Sequence, residues 1–232
     1  MGRPMTPRSW IFENDAILVL NKPSGLPSAR LPKSPPDEVT AVDWALERFP
    51  EIHGVGFSEH EAGLVHRLDT GTSGLLVFAK TQKSFEHLRG IWERREVRKI
   101  YRAICVPNAE ATPIPDRITL PLAHHVKSAK KMICILPGKE HYKYRGKLLP
   151  AETIILHKEK LKNHPQDVLD ITLEIKTGVM HQIRCHLAEL DHPILGDSIY
   201  GGQPSTRLWL HAWRLELDGL ILEAPLPEKW AC

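Results

Sequence analysis

Residues 63–80 read GLVHRLDTGTSGLLVFAK. The segment ends in an apolar run, Gly74 to Ala79, which predicts a buried strand. Before that run lie glycine, threonine and serine residues and one acid, Asp69, a composition typical of a tight turn. Two explanations are open at this point: Asp69 bonds to backbone amides within the turn, or the turn presents a functional carboxylate.

Apolar patterns along the rest of the chain predict a mixture of strands and helices. We expect further strands at residues 16–20, 100–106, 131–136, 151–157, 168–176 and 208–217. Helices are expected over Val42, Leu46 and Phe49, after a capping Thr81, and after the strand at 168–176. The pattern indicates an α+β fold with a mixed, largely antiparallel central sheet flanked by helices and loops, in one domain covering 1–232.

The clearest strand and the helix after it make two specific predictions. Between Val168 and Lys176 apolar and polar residues alternate, as in a strand with one buried face. In the following helix Ile183 and Leu187 share one face while Arg184 lies on another. Arg184 is therefore expected to point away from the core.

Composition is that of an ordinary folded protein. Hydrophobic residues make up 42% and charged residues 25%, which excludes disordered, collagen-like and coiled-coil chains. No apolar run approaches the length of a membrane span, so we expect a cytoplasmic protein, monomeric and without membrane contact.

The cysteines and histidines indicate neither a disulfide framework nor a metal site. The four cysteines form no C-x-x-C pair. His181 and His186 are five residues apart, off a common helix face, while His124 and His125 are adjacent. We expect no metal site.

The net charge of +3 is too small to identify a partner, but basic residues cluster in two places. The first cluster contains Arg94, Arg95, Arg98, Lys99 and Arg102, and the second contains Lys127, Lys130, Lys131, Lys139, Lys143, Arg145 and Lys147. Each is consistent with a solvated surface or with contacts to phosphates.

Asp69, Thr70 and Gly71 also reproduce the Asp-Thr-Gly signature of aspartic proteases. Those enzymes need two aspartates that share one proton. No second such triplet occurs in the chain, and Arg67 would place a cation close to the acid. A protease is therefore a poor explanation.

A longer string changes the interpretation. His66-Arg67-Leu68-Asp69 followed by Thr72-Ser73-Gly74-Leu75-Leu76 resembles the catalytic motif of the RluA-like family of RNA pseudouridine synthases. Further segments resemble the same family in the same order: residues 20–26 (LNKPSGL), 99–103 (KIYRA), 178–197, 200–201 and 210–212. Together they extend from about residue 12 to about residue 217. The resemblance implies the pseudouridine synthase fold.

The resemblance also implies an activity, the isomerisation of specific uridines to pseudouridine in structured ribosomal or transfer RNA, with no cofactor. Asp69 would be the catalytic carboxylate, as nucleophile or as base. Arg184 would pair with that carboxylate and aim it. Tyr101 would stack on the uracil and move a proton late in the reaction.

The same resemblance implies contacts to the substrate from Arg67, His66, Thr72, Lys22 and His181. Arg67 would fill the place of a flipped-out uridine. Val179 and Met180 stand where the family usually has Arg and Thr, which alters the expected contacts to RNA. The N-terminal RNA-binding appendage of many relatives is not expected here. An RNA-binding module without chemistry is the alternative.

Overall fold

The structure is a computed structural model that describes residues 8–58, 61–138, 143–162 and 167–230. The chain divides into two compact units. The first contains Met1–Val97 and Ala212–Leu226, and the second contains Arg98–His211 and Pro227–Cys232. None of the described helices is both long and apolar enough to cross a membrane.

The first unit is an antiparallel sheet with two α-helices. Its elements are β1 (Ser9–Glu13), β2 (Ile17–Lys22), α1 (Ala41–Arg48), β3 (Ser73–Ala79), α2 (Gln82–Glu93), most of β11 (Leu210–Leu217) and β12 (Leu220–Glu223). β2 pairs with both β1 and β3, and β12 pairs with β11. Every residue of β3 is buried, which confirms the strand predicted from residues 74–79.

Both helices of this unit begin at threonines that form capping boxes. Thr40 accepts a hydrogen bond from the amide of Asp43, and Thr81 accepts one from the amide of Ser84. The predicted cap at Thr81 is confirmed. In α1 the buried face is formed by Ala41, Val42 and Ala45, so the apolar positions are shifted from those predicted.

The second unit contains two sheets and one α-helix. Its elements are β4 (Arg98–Cys105), β5 (Arg117–Ile118), β6 (Leu122–His125), β7 (Met132–Cys134), β8 (Tyr144–Leu149), β9 (Thr153–Lys160), β10 (Leu169–Ile175) and α3 (Gln182–Glu189). One sheet has the order β4-β10-β9-β5, and the other has the order β7-β6-β8. Their paired strands are antiparallel. The predicted α+β class is confirmed.

Strand β10 is buried more completely than its alternating pattern predicts. Asp170 and Glu174, on its polar face, are only 4% and 3% exposed. Asp170 pairs with Arg102, and Glu174 with Arg98. Burial acts to raise the pKa of Glu174, but hydrogen bonds from Lys176 and Arg98 outweigh it and lower that pKa. The prediction of one solvated face is wrong, because cross-strand ion pairs cover it.

A buried polar network joins α3 to β9. Gln182 Nε2 donates to Thr153 Oγ1, and the Thr153 hydroxyl lies 2.9 Å from His186 Nδ1. His186 Nε2 lies 2.9 Å from the carbonyl oxygen of Leu120, which can only accept. Nε2 therefore carries a proton, and burial, which lowers the pKa of His186, favours the neutral ring whose Nδ1 accepts from the Thr153 hydroxyl.

This network predicts that acid destabilises the protein through His186. Burial lowers the pKa of His186 from its ordinary 6.5, so the unfolded chain binds more protons at mildly acidic pH. The stabilisation is complete above about pH 6.5 and is lost as the pH falls below that value. Thermal unfolding of wild type and His186→Gln between pH 7.5 and pH 5 measures the effect, with wild type expected to lose more of its Tm. Parallel pH profiles would show that His186 does not contribute.

Candidate active site

Asp69 lies in the turn that leads into β3 and is partly exposed. Its carbonyl accepts a hydrogen bond from the amide of Thr72 at 3.0 Å. The turn enters the strand at Gly74, whose φ is +113°. A Cβ atom at Gly74 would lie 2.2 Å from the carbonyl oxygen of Ala212, so only glycine fits there.

Residues 22–28 hold the backbone of the Asp69 turn from one side. The hydroxyl of Ser28 donates to the carbonyl of Leu68 at 2.8 Å and accepts from the amide of the same residue at 3.0 Å. The amide of Gly25 donates to the carbonyl of Thr70 at 2.8 Å. Ser24 Oγ donates to the carbonyl of Gly71 at 2.6 Å. Every carbonyl from Leu68 to Gly71 therefore has a donor.

Lys22 is the centre of this arrangement. Its side chain is fully buried, and Nζ donates to the carbonyls of Pro23, Leu26 and Thr70 at 3.1, 2.7 and 3.2 Å. These contacts stabilise the turn that presents Asp69. A contact of Lys22 with the substrate stays a prediction.

The two residues that open the catalytic motif have different environments. His66 stacks on Trp92 with ring centroids 4.9 Å apart, and its Nε2 accepts from the amide of Val77. Arg67 is exposed, and its guanidinium lies 3.7 Å from the carboxylate of Glu61. An exposed cation close to Asp69 in the sequence suits a contact with RNA. Thr72, by contrast, is 3% exposed and supports the turn.

Tyr101 and Arg184 belong to the second unit. Tyr101 lies on β4 opposite Leu173 of β10 and is 8% exposed. Arg184 lies in α3 and is 6% exposed, so the prediction that it points away from the core is wrong. The helix pattern gave no sign of Asp197, the acid that Arg184 contacts in the interior. Its pairing with Asp69, and the role of Tyr101, stay predictions.

The buried partner of Arg184 is Asp197. Arg184 Nε and Nη2 donate to the two carboxylate oxygens of Asp197 at 2.7 and 2.9 Å. This is a bidentate ion pair, stronger and more directional than a single contact. The guanidinium also lies 5.3 Å from the centre of the Tyr200 ring. The pair is buried and is not a surface salt bridge.

His181 is held beside this pair in a left-handed conformation, with φ of +55°, at the start of α3. Its Nδ1 lies 3.1 Å from the hydroxyl of Tyr200. Val179 packs against the cluster around Leu122, while Met180 is 37% exposed. Of the two departures from the family pattern, one is therefore structural and one faces solvent.

The two basic clusters differ in how far acidic side chains neutralise them. In the first, Arg94 pairs with Glu96, and Arg98 and Arg102 pair with acids of β10, so its charge is largely neutralised. The second cluster surrounds β6, β7 and β8, and Lys139 within it lies outside the described residues. The described residues between 118 and 150 include no acid. The described basic residues of this second cluster, here named the basic sheet, are Lys127, Lys130, Lys131, Lys143, Arg145 and Lys147.

No group of three or more histidine, cysteine or acidic side chains that could hold a metal ion occurs in the part of the chain that the structure describes. The thiols of Cys134 and Cys185 lie 3.4 Å apart in the second unit. Their hydrogen bond and their burial raise the pKa of Cys134. A thiol pair of this kind is structural rather than reactive.

Comparison with known proteins identifies the family. The model of the RNA pseudouridylate synthase family matches residues 16–189. Ribosomal large subunit pseudouridine synthase D of Yersinia pestis is 33% identical over 85% of this chain. The chain belongs to the RNA pseudouridylate synthase family. The family resemblance of the motifs is confirmed, and the protease explanation is wrong.

Two further comparisons concern length and fold. The synthase D of Nitrosomonas europaea is 33% identical over 97% of this chain. The chain covers 54% of the Yersinia protein and 64% of the Nitrosomonas protein, so it spans between half and two thirds of these relatives. The structure of human RNA Pseudouridylate Synthase Domain Containing 1 has a TM-score of 0.68 at 24% identity, over 98% of this chain and 86% of that one. This second likeness is one of fold.

Sequence reasoning about this pseudouridylate synthase family member missed two contributors to the site. Ser28 lies in a proline-rich loop with no pattern around it, so nothing indicated its two bonds to Leu68. Asp197 lies in a recognised motif but was given no role. Its position 13 residues beyond Arg184 indicates no contact by itself.

Replacing Lys22 by methionine should destabilise the protein. The variant keeps an unbranched side chain but removes three hydrogen bonds to backbone carbonyls. We expect a loss of about 2 kcal/mol in the free energy of unfolding, measured by urea denaturation. The control is Lys83→Met, at an exposed position, with a change within about 0.5 kcal/mol. Equal effects of the two variants would contradict the role of Lys22.

Proposed function

We propose that this chain isomerises uridine to pseudouridine in structured RNA. The observation that carries the proposal is the presentation of Asp69, partly exposed on a turn whose carbonyls are fixed by residues 22–28, in a chain of this family. A carboxylate presented from a backbone held in this way is well placed for attack or for proton transfer. A turn needed only for folding would not require an exposed acid.

The reaction breaks the bond from ribose C1′ to N1 of uracil and forms a bond from C1′ to C5. The proton on C5 leaves, and N1 gains a proton, so there is no net oxidation or hydrolysis. Asp69 serves as nucleophile at the ribose or as base, and both roles need its ionised form. The chemistry needs no cofactor.

Within this proposal the other residues have the roles that the family resemblance implies. Arg184 pairs with the carboxylate of Asp69, and Tyr101 stacks on the uracil. Arg67 takes the place of the flipped uridine, which costs a few kcal/mol to remove from its stack. The exposure of Arg67 supports that role. We propose that residues 1–232 act together as a single catalytic domain.

The substrate is proposed to be ribosomal or transfer RNA. The names of the curated relatives refer to the large ribosomal subunit, so its RNA is the first substrate to test. The basic sheet supports an RNA partner, because its described side chains make no ion pair with the described acids. The alternative function is that of an RNA-binding module that does not catalyse.

Changing Asp69 to asparagine should abolish isomerisation with little loss of RNA binding. Transcribed large-subunit ribosomal RNA and transfer RNA are incubated with wild type and variants, and pseudouridine is mapped. We expect Asp69→Asn to reduce the rate by about 100-fold or more. Asp15→Asn, at an exposed turn of the same unit, is the control and should match wild type. RNA binding by wild type without any pseudouridine would favour the non-catalytic module.

The basic sheet should carry much of the salt dependence of RNA binding. We expect Lys127→Ala with Lys147→Ala to weaken binding and to reduce the slope of log K against log salt by about 1 for each phosphate that the protein no longer neutralises. Lys33→Ala with Lys83→Ala removes the same charge from exposed sites in the first unit. Titrations at several salt concentrations compare the two pairs. Equal slopes would place the RNA elsewhere.

A further inference from the structure

The bond between Arg184 and Asp197 is the most completely buried ion pair among the described residues that bear on the site. The two side chains are 8% and 0% exposed. The contact engages the Nε and Nη2 edge of the guanidinium. A planar guanidinium held along one edge has a fixed orientation, because both bonds must be kept at once.

The carboxylate of Asp197 is itself fixed. Its Oδ1 accepts from the amides of Ile199 and Tyr200 at 3.0 and 3.2 Å. The loop around it packs so closely on neighbouring backbone that two of its positions accept only glycine. A Cβ at Gly196 would lie 1.8 Å from the carbonyl oxygen of Arg207, and a Cβ at Gly202 would lie 1.9 Å from that of Ile194. Asp197 is thus a rigid acceptor.

Tyr200 limits movement of the Arg184 guanidinium perpendicular to its plane. Its ring lies across the guanidinium, and its hydroxyl accepts from the amide of Met132 at 2.9 Å. The same hydroxyl lies 3.1 Å from His181 Nδ1. Burial raises the pKa of Tyr200, so the hydroxyl keeps its proton and can donate. Asp197 therefore holds the guanidinium in its plane, and Tyr200 restrains it across its face.

We propose that Asp197 and Tyr200 are positioning residues that set the orientation of Arg184 for catalysis. The inference rests on the proposed function, in which Arg184 aims the catalytic carboxylate. Asp197 occupies one edge of the guanidinium and directs its Nη1 end to a second acceptor. Asp197 also neutralises the buried cation when no substrate is present. Neither residue is assigned a bond to RNA.

The experiment compares two buried aspartates of the second unit that each form a bidentate contact with an arginine. Asp197→Asn removes the charge that faces Arg184, and Asp170→Asn removes the charge that faces Arg102. For each variant the Tm, the Kd for RNA and the single-turnover rate at saturating RNA are measured. We expect both variants to lose Tm. Only Asp197→Asn should slow the single-turnover step, by about tenfold to a hundredfold, with little change in Kd.

A second pair of variants covers the case in which Asp197→Asn does not fold. Tyr200→Phe keeps the ring over Arg184 and should retain most of the single-turnover rate. Tyr200→Leu removes the ring and should lower the rate by about tenfold or more. Equal rates for Tyr200→Leu and wild type would overturn the inference.

The remaining outcomes separate the inference from the proposed function. A rate in Asp197→Asn equal to that of Asp170→Asn shows that Asp197 is structural only and overturns the inference alone. An inactive wild type that still binds RNA overturns the proposed function, and the inference with it. A slower single-turnover step confined to Asp197→Asn and Tyr200→Leu supports both.

Discussion

The Asp69 turn depends on a buried ammonium group surrounded by backbone carbonyls. Lys22 Nζ has three N–H donors, and three carbonyls converge on it, so each donor has an acceptor. Removing the ammonium from water is costly, and the three carbonyl dipoles offset part of that cost. Residues 22–28 are also hydrogen-bonded to the start of α1, because the carbonyls of Pro27 and Ser28 accept from the amides of Ala41 and Val42. Lys22 at the end of β2 therefore holds the turn that presents the proposed catalytic carboxylate, and residues 27–28 of the same segment hold the start of α1.

The fold could be predicted where the signal is local. The apolar run at 74–79 and the cap at Thr81 specify β3 and the start of α2 by short-range rules. Strand β6 escaped prediction because it has only four residues, and β8 because five of its six residues are exposed and show no clear alternation. The hairpin between β11 and β12 could have been predicted from a short sequence motif. Asp218 and Gly219, both with positive φ, form the Asp-Gly turn expected of a two-residue hairpin loop.

The site could be predicted only as far as its motifs reach. The string around Asp69 is specific enough to assign the residue, but the donors from residues 22–28 that hold its turn come from 40 to 48 residues earlier in the chain. Ser28 is a serine in a loop, and only the fold brings it to Leu68. The error at Arg184 has a related cause. A helical pattern treats arginine as a surface residue, whereas the bidentate carboxylate of Asp197 offsets much of the cost of burying its charge.

The two basic clusters show why charge in a sequence does not locate a binding surface. Both look alike as runs of lysine and arginine, and the first contains the residues closest to Tyr101 in the sequence. In the structure Glu96, Asp170 and Glu174 compensate the first cluster, so its arginines stabilise β4 and β10. The second cluster has no described acid within its own segment, and most of its described side chains are exposed. A polyanion binds more tightly to lysines and arginines that have no acidic partner than to those from which it must displace a carboxylate. Among the described residues, a cluster of uncompensated basic charge therefore lies on the basic sheet, in the same unit as Arg184 and Tyr101.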